Sequence, residues 1–269
     1  MGHIFTDQMG RQVTLPAHPP RRIVSLVPSQ TELLFDLGLD DEVVGITKFC
    51  VHPVEKWRSK PRVGGTKKVD FDKIAALRPD LIIGNKEENE RSQIEALAAR
   101  HPVWMSDITT LDDALDMVKS VGLLVGREQE ANLLAENANA AFLPLKTAIR
   151  KPLRTAYMIW YRPWMAAAAG TFIHNMMEVA GFHNVFASKT RYPEITLEEL
   201  SSARPDVVML SSEPFPFKEK HIMEIQAACP GSTVLLVDGE MFSWYGSRML
   251  LAAPYFVNLH AQISHVVHK

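Results

Sequence analysis

The sequence predicts an α/β protein of two lobes with mainly parallel sheets, joined by a single long helix. Three observations carry this. First, residues 70–88 (DFDKIAALRPDLIIGNKEE) and 196–214 (TLEELSSARPDVVMLSSEP) are two copies of one unit. In register, Asp72 meets Glu198, Ile74 meets Leu200, Arg78-Pro79-Asp80 meets Arg204-Pro205-Asp206, and Glu87 meets Glu213. Each copy reads as a short acidic-started helix, an Arg-Pro-Asp turn, a buried strand and a polar loop, and a unit repeated in each half implies two similar lobes. Second, 29–39 and 170–182 match in the same order and align Gly38 with Gly181, each placed to close a helix. Third, strand and helix patterns alternate through short connections, which favours parallel sheets.

In chain order, 4–20 reads as a peripheral strand and a lead-in rich in proline (Pro16, Pro19, Pro20). RIVSLV (22–27) is the first buried strand. Ser29 is placed to cap a helix over 31–37, so Ser29 and Gln30 stand where a strand turns into a helix. That turn presents N–H groups at a strand's carboxyl end, where open α/β sheets bind ligands. EVVGIT (42–47) is the next strand, and its exit brings Lys48, Phe49, Cys50 and His52 into one loop. A helix over 53–58 and the glycine turn before Thr66 lead to the first repeat unit, with a helix over 71–77 and a strand over 80–84. Lys86 and Glu87 lie in its loop, and a helix over 90–100, a strand over 103–105 and a helix over 111–124 complete a first lobe of 1–124.

The join falls at 125–150, where Leu134, Ala138, Ala141, Leu145 and Ile149 form one apolar stripe at three- and four-residue steps. Pro144 lies inside this helix and is expected to kink or interrupt it. The second lobe, 151–269, opens with the strand TAYMIW (155–160), after which Trp160, Arg162 and Trp164 gather at or just past the strand end. A helix over 171–180 leads to Arg191-Tyr192, and the second repeat (helix 196–203, strand 206–211) ends in Glu213-Pro214-Phe215. A helix over 217–228, a strand over 233–237, a loop over 239–247 carrying Phe242, Trp244 and Tyr245, and a helix over 247–265 finish the chain.

Bulk properties narrow the function. A formal net charge of −2 and the lack of a basic run interleaved with aromatics argue against nucleic acid. No stretch reaches the ~18 apolar residues that read as a membrane span. The opening MGHIFTDQMGRQ lacks a basic stretch followed by an apolar one, so the expectation is either an intracellular protein or a mature or trimmed form. Cys50 and Cys229 fall in different lobes, which argues against a disulfide between them. Cys50-x-His52 is the sharpest reactive feature. In extended chain the two side chains face one way, and they are open to three readings: structural or wall residues, an axial contact to a ligand's metal, or a thiolate–imidazolium pair. His101, His174, His183, His221, His260, His265 and His268 are scattered on helices and edges and read mostly as surface residues. No nucleophile elbow, phosphate-cradling loop or paired metal motif is present, so no catalytic residue and no resident cofactor are expected.

The stretches RIVSLVPSQTELLFDLGL, VGITKF, VGGTKKVDFDKIAALRPDLIIG, TFIHNMMEVAGFHNVFA and GSRMLLAAPYF resemble the helical-backbone (class III) periplasmic substrate-binding proteins of ABC importers for cobalamin, iron-siderophores and haem. The resemblance covers nearly the whole chain. It implies two Rossmann-like lobes bridged by one helix, a monomer outside the cytoplasm, and a metal-containing chelate held in the cleft between the lobes. The ligand implied first is a corrinoid such as cobalamin, with a siderophore or haem as alternatives. An intracellular corrinoid-processing or sensing protein is a further one. The family's permease-docking carboxylates fall at Asp72 and Glu198. The plain alternative for these is favourable charge at a helix N-terminus. Cobalamin-binding members often carry tryptophan where this chain has Thr66 and Asn85. Phe49, Trp160, Trp164, Phe242, Trp244 and Tyr245 offer aromatic wall instead, each with core or rim packing as its alternative. Lys48, Lys86, Glu87, Arg162, Arg191 and Glu213 suit a chelate's amides, phosphate or carboxylates, and Tyr192 and Phe215 lie beside them.

Overall fold

The apolar runs of the first half are buried on both faces, as strands of a parallel sheet require. The computed structural model describes residues 2–148 and 152–267, with side chains described for 2–145 and 152–263. The first elements are β1 (His3–Thr6), β2 (Gln12–Leu15), β3 (Ile23–Ser25), α1 (Pro28–Asp36), β4 (Val43–Ile46), α2 (Val54–Ser59), α3 (Phe71–Leu77), β5 (Leu81–Asn85), α4 (Arg91–Ala98), β6 (Val103–Ser106) and α5 (Leu111–Val125). A four-stranded parallel sheet has the order β4-β3-β5-β6. The chain leaves its centre, β3, for β4 on one side and later returns to β5 on the other. The lead-in is a hairpin of β1 and β2, where a single strand was expected. The cause is a turn at Asp7: its carboxylate accepts the N–H of Met9 and of Arg11, and its second oxygen takes the Arg11 guanidinium at 2.7 Å.

The remaining elements are α6 (Glu128–Ala148), β7 (Leu153–Trp160), β8 (Met165–Ala166), α7 (Phe172–Val179), β9 (Phe182–Asn184), α8 (Leu197–Ser202), β10 (Val207–Ser211), α9 (Glu219–Ala228), β11 (Thr233–Val237), α10 (Glu240–Ser243) and α11 (Met249–Val267). The second sheet runs β11-β10-β7-β8, with β9 pairing the start of β7. β7, β9, β10 and β11 are parallel, and β8 folds back antiparallel on β7.

The chain divides into two compact units. Unit 1 holds the residues up to Ile108, Asp112–Asn137 and Tyr245–Arg248; unit 2 holds Thr109–Leu111, Ala138–Trp244 and the chain from Met249 onward. The segment Tyr245–Arg248, assigned to the second lobe by the sequence, therefore packs with the first. Helix α6 begins in unit 1 and ends in unit 2, and it continues through Pro144 without interruption. Its buried stripe is Ala131, Ala135, Ala138, Phe142 and Leu145, with Leu134 and Ala141 only half-buried beside it. Ile149, the last residue of the predicted stripe, lies outside the described residues.

The repeat is reproduced position by position, with different atoms at some of the contacts. Asp70 caps α3 by accepting the N–H of Lys73 at 3.1 Å, and Thr196 caps α8 by accepting that of Glu199 at 3.1 Å. Ile74 and Leu200 are both fully buried. Arg78 and Arg204 then take the left-handed backbone conformation at φ 45° and 46°, uncommon for a residue with a Cβ. Each helix end is tied by an arginine at the entry of the strand that the repeat strand pairs with, β3 in unit 1 and β7 in unit 2. Arg22 Nε donates to the Leu77 carbonyl at 2.8 Å, and Arg154 Nη2 donates to the Ala203 carbonyl at 2.6 Å. The Asp80 carboxylate accepts the backbone N–H of Arg21 and of Arg22, both at 2.8 Å, and Asp206 accepts that of Arg154 at 2.9 Å. The second match holds as well: Gly38 and Gly181 close their helices at φ 73° and 77°.

Asp80→Ala is expected to lower the urea midpoint with an unchanged slope, at a cost of about 2–3 kcal/mol. Asp206→Ala removes one such bond and is expected to cost about 1–2 kcal/mol in the same measurement.

Candidate functional site

All four strands of the first sheet end on one side of unit 1, and most first-lobe candidate residues gather there. Helix α1 starts earlier than expected because Pro28 occupies its first turn with Val27 as N-cap. Ser29 is thus inside the helix, not its cap, and both Ser29 and Gln30 are buried. Gln30 Nε2 donates to Ser106 Oγ, and Asn85 Nδ2 donates to the same oxygen at 2.9 Å. Asn85 Oδ1 accepts the N–H of Glu87 at 2.8 Å and of Glu88 at 3.1 Å, which sets the loop after β5. Asn89 joins this loop to its neighbour by donating to the Thr66 carbonyl at 3.0 Å. Burial pushes the Glu88 carboxyl up, against the lowering pull of Lys67.

Above this network stand the exposed members of the set. Phe49 is 49% exposed, and the Lys48 ammonium lies 4.9 Å from its ring centre. Lys86 is exposed and paired with Asp107 at 2.6 Å, while Glu87 and Thr66 are half-buried. Cys50 departs from expectation. Its side chain is fully buried, with Sγ 3.1 Å from the hydroxyls of Thr31 and Thr47. Burial pushes the thiol up, which favours its neutral form, whereas His52 is half-buried in the loop.

Tyr245 also departs from expectation, since it is buried in unit 1 and is no part of an open wall. Its hydroxyl sits between Ser29 and Ser106, and burial pushes the phenol well above its ordinary range. Three residues on, the Arg248 guanidinium forks onto Glu32 of α1 at 2.8 and 2.5 Å, both side chains being nearly buried.

In unit 2 the candidates fall into two groups. Trp160, at the end of β7, is 40% exposed and stands edge-on to Phe215 at 5.8 Å. Tyr161 links them to Trp164, with ring centres 5.7 Å from Phe215 and 4.8 Å from Trp164. The Arg162 guanidinium lies 5.0 Å from the Tyr161 ring. Arg191 and Tyr192 form the second group, on a segment that runs beside the chain just after β8, where the Arg191 backbone is bonded to Ala168 and Ala169. Glu213 faces inward: Ser243 Oγ donates to its Oε1 at 2.5 Å and Trp244 Nε1 at 3.0 Å. Trp244 is therefore buried, and Phe242 is a core residue packed on Tyr157 and Phe256. Neither is an exposed wall, because the loop folds into the helix α10 and carries its aromatics with it.

Asp72 and Glu198 are both exposed on the first turns of α3 and α8. The Glu198 backbone N–H and the Thr196 hydroxyl hold the Glu198 carboxyl below its usual range. Among the described residues no three His, Cys, Asp or Glu side chains gather as a metal-ion set. No described helix is long and apolar enough to cross a membrane.

Two parallel-sheet units with loops gathered at their strand ends define a ligand-binding protein of α/β type. The chain belongs to the periplasmic binding protein family, whose model matches residues 23–227. A vitamin B12-binding protein of Yersinia pestis (strain Pestoides F) is 26% identical over 256 residues, covering 93% of this chain and 90% of that protein. Among solved structures, the periplasmic vitamin B12 binding protein BtuF of Vibrio cholerae superposes with a TM-score of 0.79 at 22% identity, covering 93% of this chain and 99% of that one. The periplasmic heme-binding protein RhuT of Roseiflexus sp. RS-1 gives 0.77 at 21% identity, covering 90% and 99%.

Arg248→Met is expected to destabilise the protein by roughly 3–5 kcal/mol, since it leaves Glu32 charged and nearly buried. Adding Glu32→Leu is expected to recover most of that loss, with calorimetric unfolding of both variants as the check.

Proposed function

We propose that this chain is the substrate-binding component of an ABC importer, working outside the cytoplasm as a monomer. Its ligand is a metal-containing chelate, with a corrinoid first and haem or a ferric siderophore next. It binds this ligand and passes it on without covalent chemistry. The observation that carries the reading is the aromatic–cation pairing at strand ends, Lys48 with Phe49 in one unit and Arg162 with Tyr161 in the other, where Trp160 and Phe215 stand edge to face. Flat aromatic faces bury much area of a macrocycle with little rotamer entropy lost, and the cations suit the polar groups at its rim. The family match and the names of the relatives support this chemistry. Asn85 is buried and bonded to Ser106, so it offers no substitute for the tryptophan of cobalamin-binding members, and this favours haem or a siderophore as the second reading. Asp72 and Glu198, alike in exposure and place in the two repeats, are the proposed contacts to the permease.

Calorimetric and visible-absorbance titrations with cobalamin, cobinamide, haem and a ferric hydroxamate are expected to give saturable binding of at least one; binding of none overturns the reading. Trp160→Ala is expected to weaken that binding by about tenfold through lost aromatic contact. Reversing charge with Asp72→Lys and Glu198→Lys together is expected to weaken association with the permease, and to flatten its salt dependence, while ligand affinity holds. A fall in ligand affinity would instead assign those acids to the binding site or the fold.

A further inference from the structure

Trp57 lies on α2, a helix with no buried residue, and is itself only half-buried, so it is no core aromatic. Polar contacts join this helix to the turn before β4: Lys56 pairs with the Asp40 carboxylate at 2.5 Å, and Lys60 Nζ donates to the Asp40 carbonyl. The indole makes two contacts of its own. Its Nε1 donates to the Lys48 carbonyl at 3.1 Å. Its face carries the Arg62 guanidinium, 4.4 Å from the ring centre. Arg62 Nε is buried and has no hydrogen-bond partner among the described residues, and the negative face of the indole stands in for an acceptor. Arg62 thereby fixes the plane from which the indole N–H reaches Lys48.

Lys48 is held from its other side as well, where its N–H donates to the Gly64 carbonyl at 2.8 Å. The segment leading there runs beside the end of β4, with the Ile46 N–H on the Pro61 carbonyl at 3.0 Å and the Val63 N–H on the Ile46 carbonyl at 2.9 Å. One residue further on, Gly65 is buried beside the Phe49 ring. A Cβ at this position would stand 3.2 Å from Phe49 Cε2 and 3.5 Å from Lys48 Cε. The backbone of Gly65 lies outside the left-handed region. What glycine supplies here is therefore room for the ring, not a special backbone conformation.

We propose that Trp57 and Gly65 are positioning residues for the exposed Phe49 ring. The indole N–H fixes the peptide from which Phe49 projects, and the bare Cα at 65 lets the ring lie close against the chain. The proposal rests on the reading that Phe49 touches the ligand. Phe49 is 49% exposed, so packing against neighbours does little to fix it, and its own N–H meets only the Thr47 hydroxyl, at 3.3 Å. The ring's place is then set by the backbone on either side of it. A ring ordered before the ligand arrives binds more tightly than one that must be ordered on binding.

The test measures affinity for cyanocobalamin, with haemin as second probe, in the full chain and in Trp57→Phe, Gly65→Ala and Phe49→Ala, and in each of the first two combined with Phe49→Ala. Trp57→Phe keeps a ring for Arg62 and loses the N–H. It is expected to weaken binding about fivefold, within what one neutral hydrogen bond can supply. Gly65→Ala is expected to weaken it by a similar factor, by pushing the ring off the backbone. In the Phe49→Ala background each change is expected to cost under about twofold, because the ring it positions is gone. An undiminished loss in that background assigns Trp57 or Gly65 a ligand contact or a general role in the fold, and overturns the proposal. Unchanged affinity in both single variants overturns it too. Two measurements need no ligand. Hydrogen exchange at the Lys48 and Phe49 amides is expected to be faster in Trp57→Phe than in the wild type. The Phe49 ring resonances, identified by their loss in Phe49→Ala, are expected to shift in Gly65→Ala. If neither probe binds, the ligand reading fails, while these two measurements still decide whether Trp57 and Gly65 hold Phe49; equal exchange rates and an unmoved ring overturn that.

Discussion

One carboxylate at the head of each repeat strand determines where everything after it falls. Asp80 and Asp206 accept backbone N–H groups of the neighbouring strand's entry, at Arg21 and Arg22 in one unit and Arg154 in the other. A parallel pair has no hairpin to set its register. The carboxylate does that work, and the left-handed arginine before it turns the chain sharply enough for only three residues to separate helix from strand in unit 1 and four in unit 2. Because the strand is then anchored at its start, its far end arrives at a defined height. In unit 1 that end is Asn85, whose side chain orients the next loop by accepting the N–H of Glu87 and Glu88. In unit 2 it is Ser211, whose Oγ accepts the N–H of Glu213 at 3.2 Å. The same positions do the same job in both halves.

This explains why so much of the fold was legible. The repeat could be read because each of its parts has a local signature: an acceptor at the cap, a buried Ile or Leu one turn later, an Arg-Pro-Asp turn, and an apolar run too short to be a helix. Glycines at 38 and 181 are likewise punctuation whose meaning is local, whereas proline at 28, which opens α1, was passed over for Ser29 as the helix start. Asp7 was equally readable as a turn, through Gly10 and Arg11 after it, but its neighbours suggested a single strand because the hairpin is short and exposed on one face.

The candidate site was legible only where exposure is also local. Lys48, Phe49, Trp160 and Arg162 leave strands directly, so the strand end itself pushes them outward. Residues farther from a strand end were misread, because their burial is decided by partners distant in sequence. Tyr245 meets Ser29 and Ser106, Trp244 meets Glu213, and Cys50 meets Thr31. An aromatic in a loop looks the same in sequence whether it faces solvent or fills a core. His221, which the sequence suggests as a surface residue, is buried and accepts the Lys218 N–H at 2.9 Å; its one local signal is its place three residues after Lys218 at a helix start, where a capping side chain reaches back.

These buried partners also decide what the exposed surfaces can offer electrostatically. A carboxylate that already accepts from an indole and a hydroxyl has fewer lone pairs for a ligand, and that is the state of Glu213. A half-buried carboxyl whose desolvation favours the protonated form presents less negative charge, and that is the tendency of Glu88. Lys48 and Arg162, by contrast, rest against aromatic rings that leave their positive charge intact at the surface. Each unit thus draws a carboxyl inward, Glu88 in one and Glu213 in the other, and leaves a base exposed against an aromatic ring. The charge beside those rings follows from how each unit uses its own carboxylates.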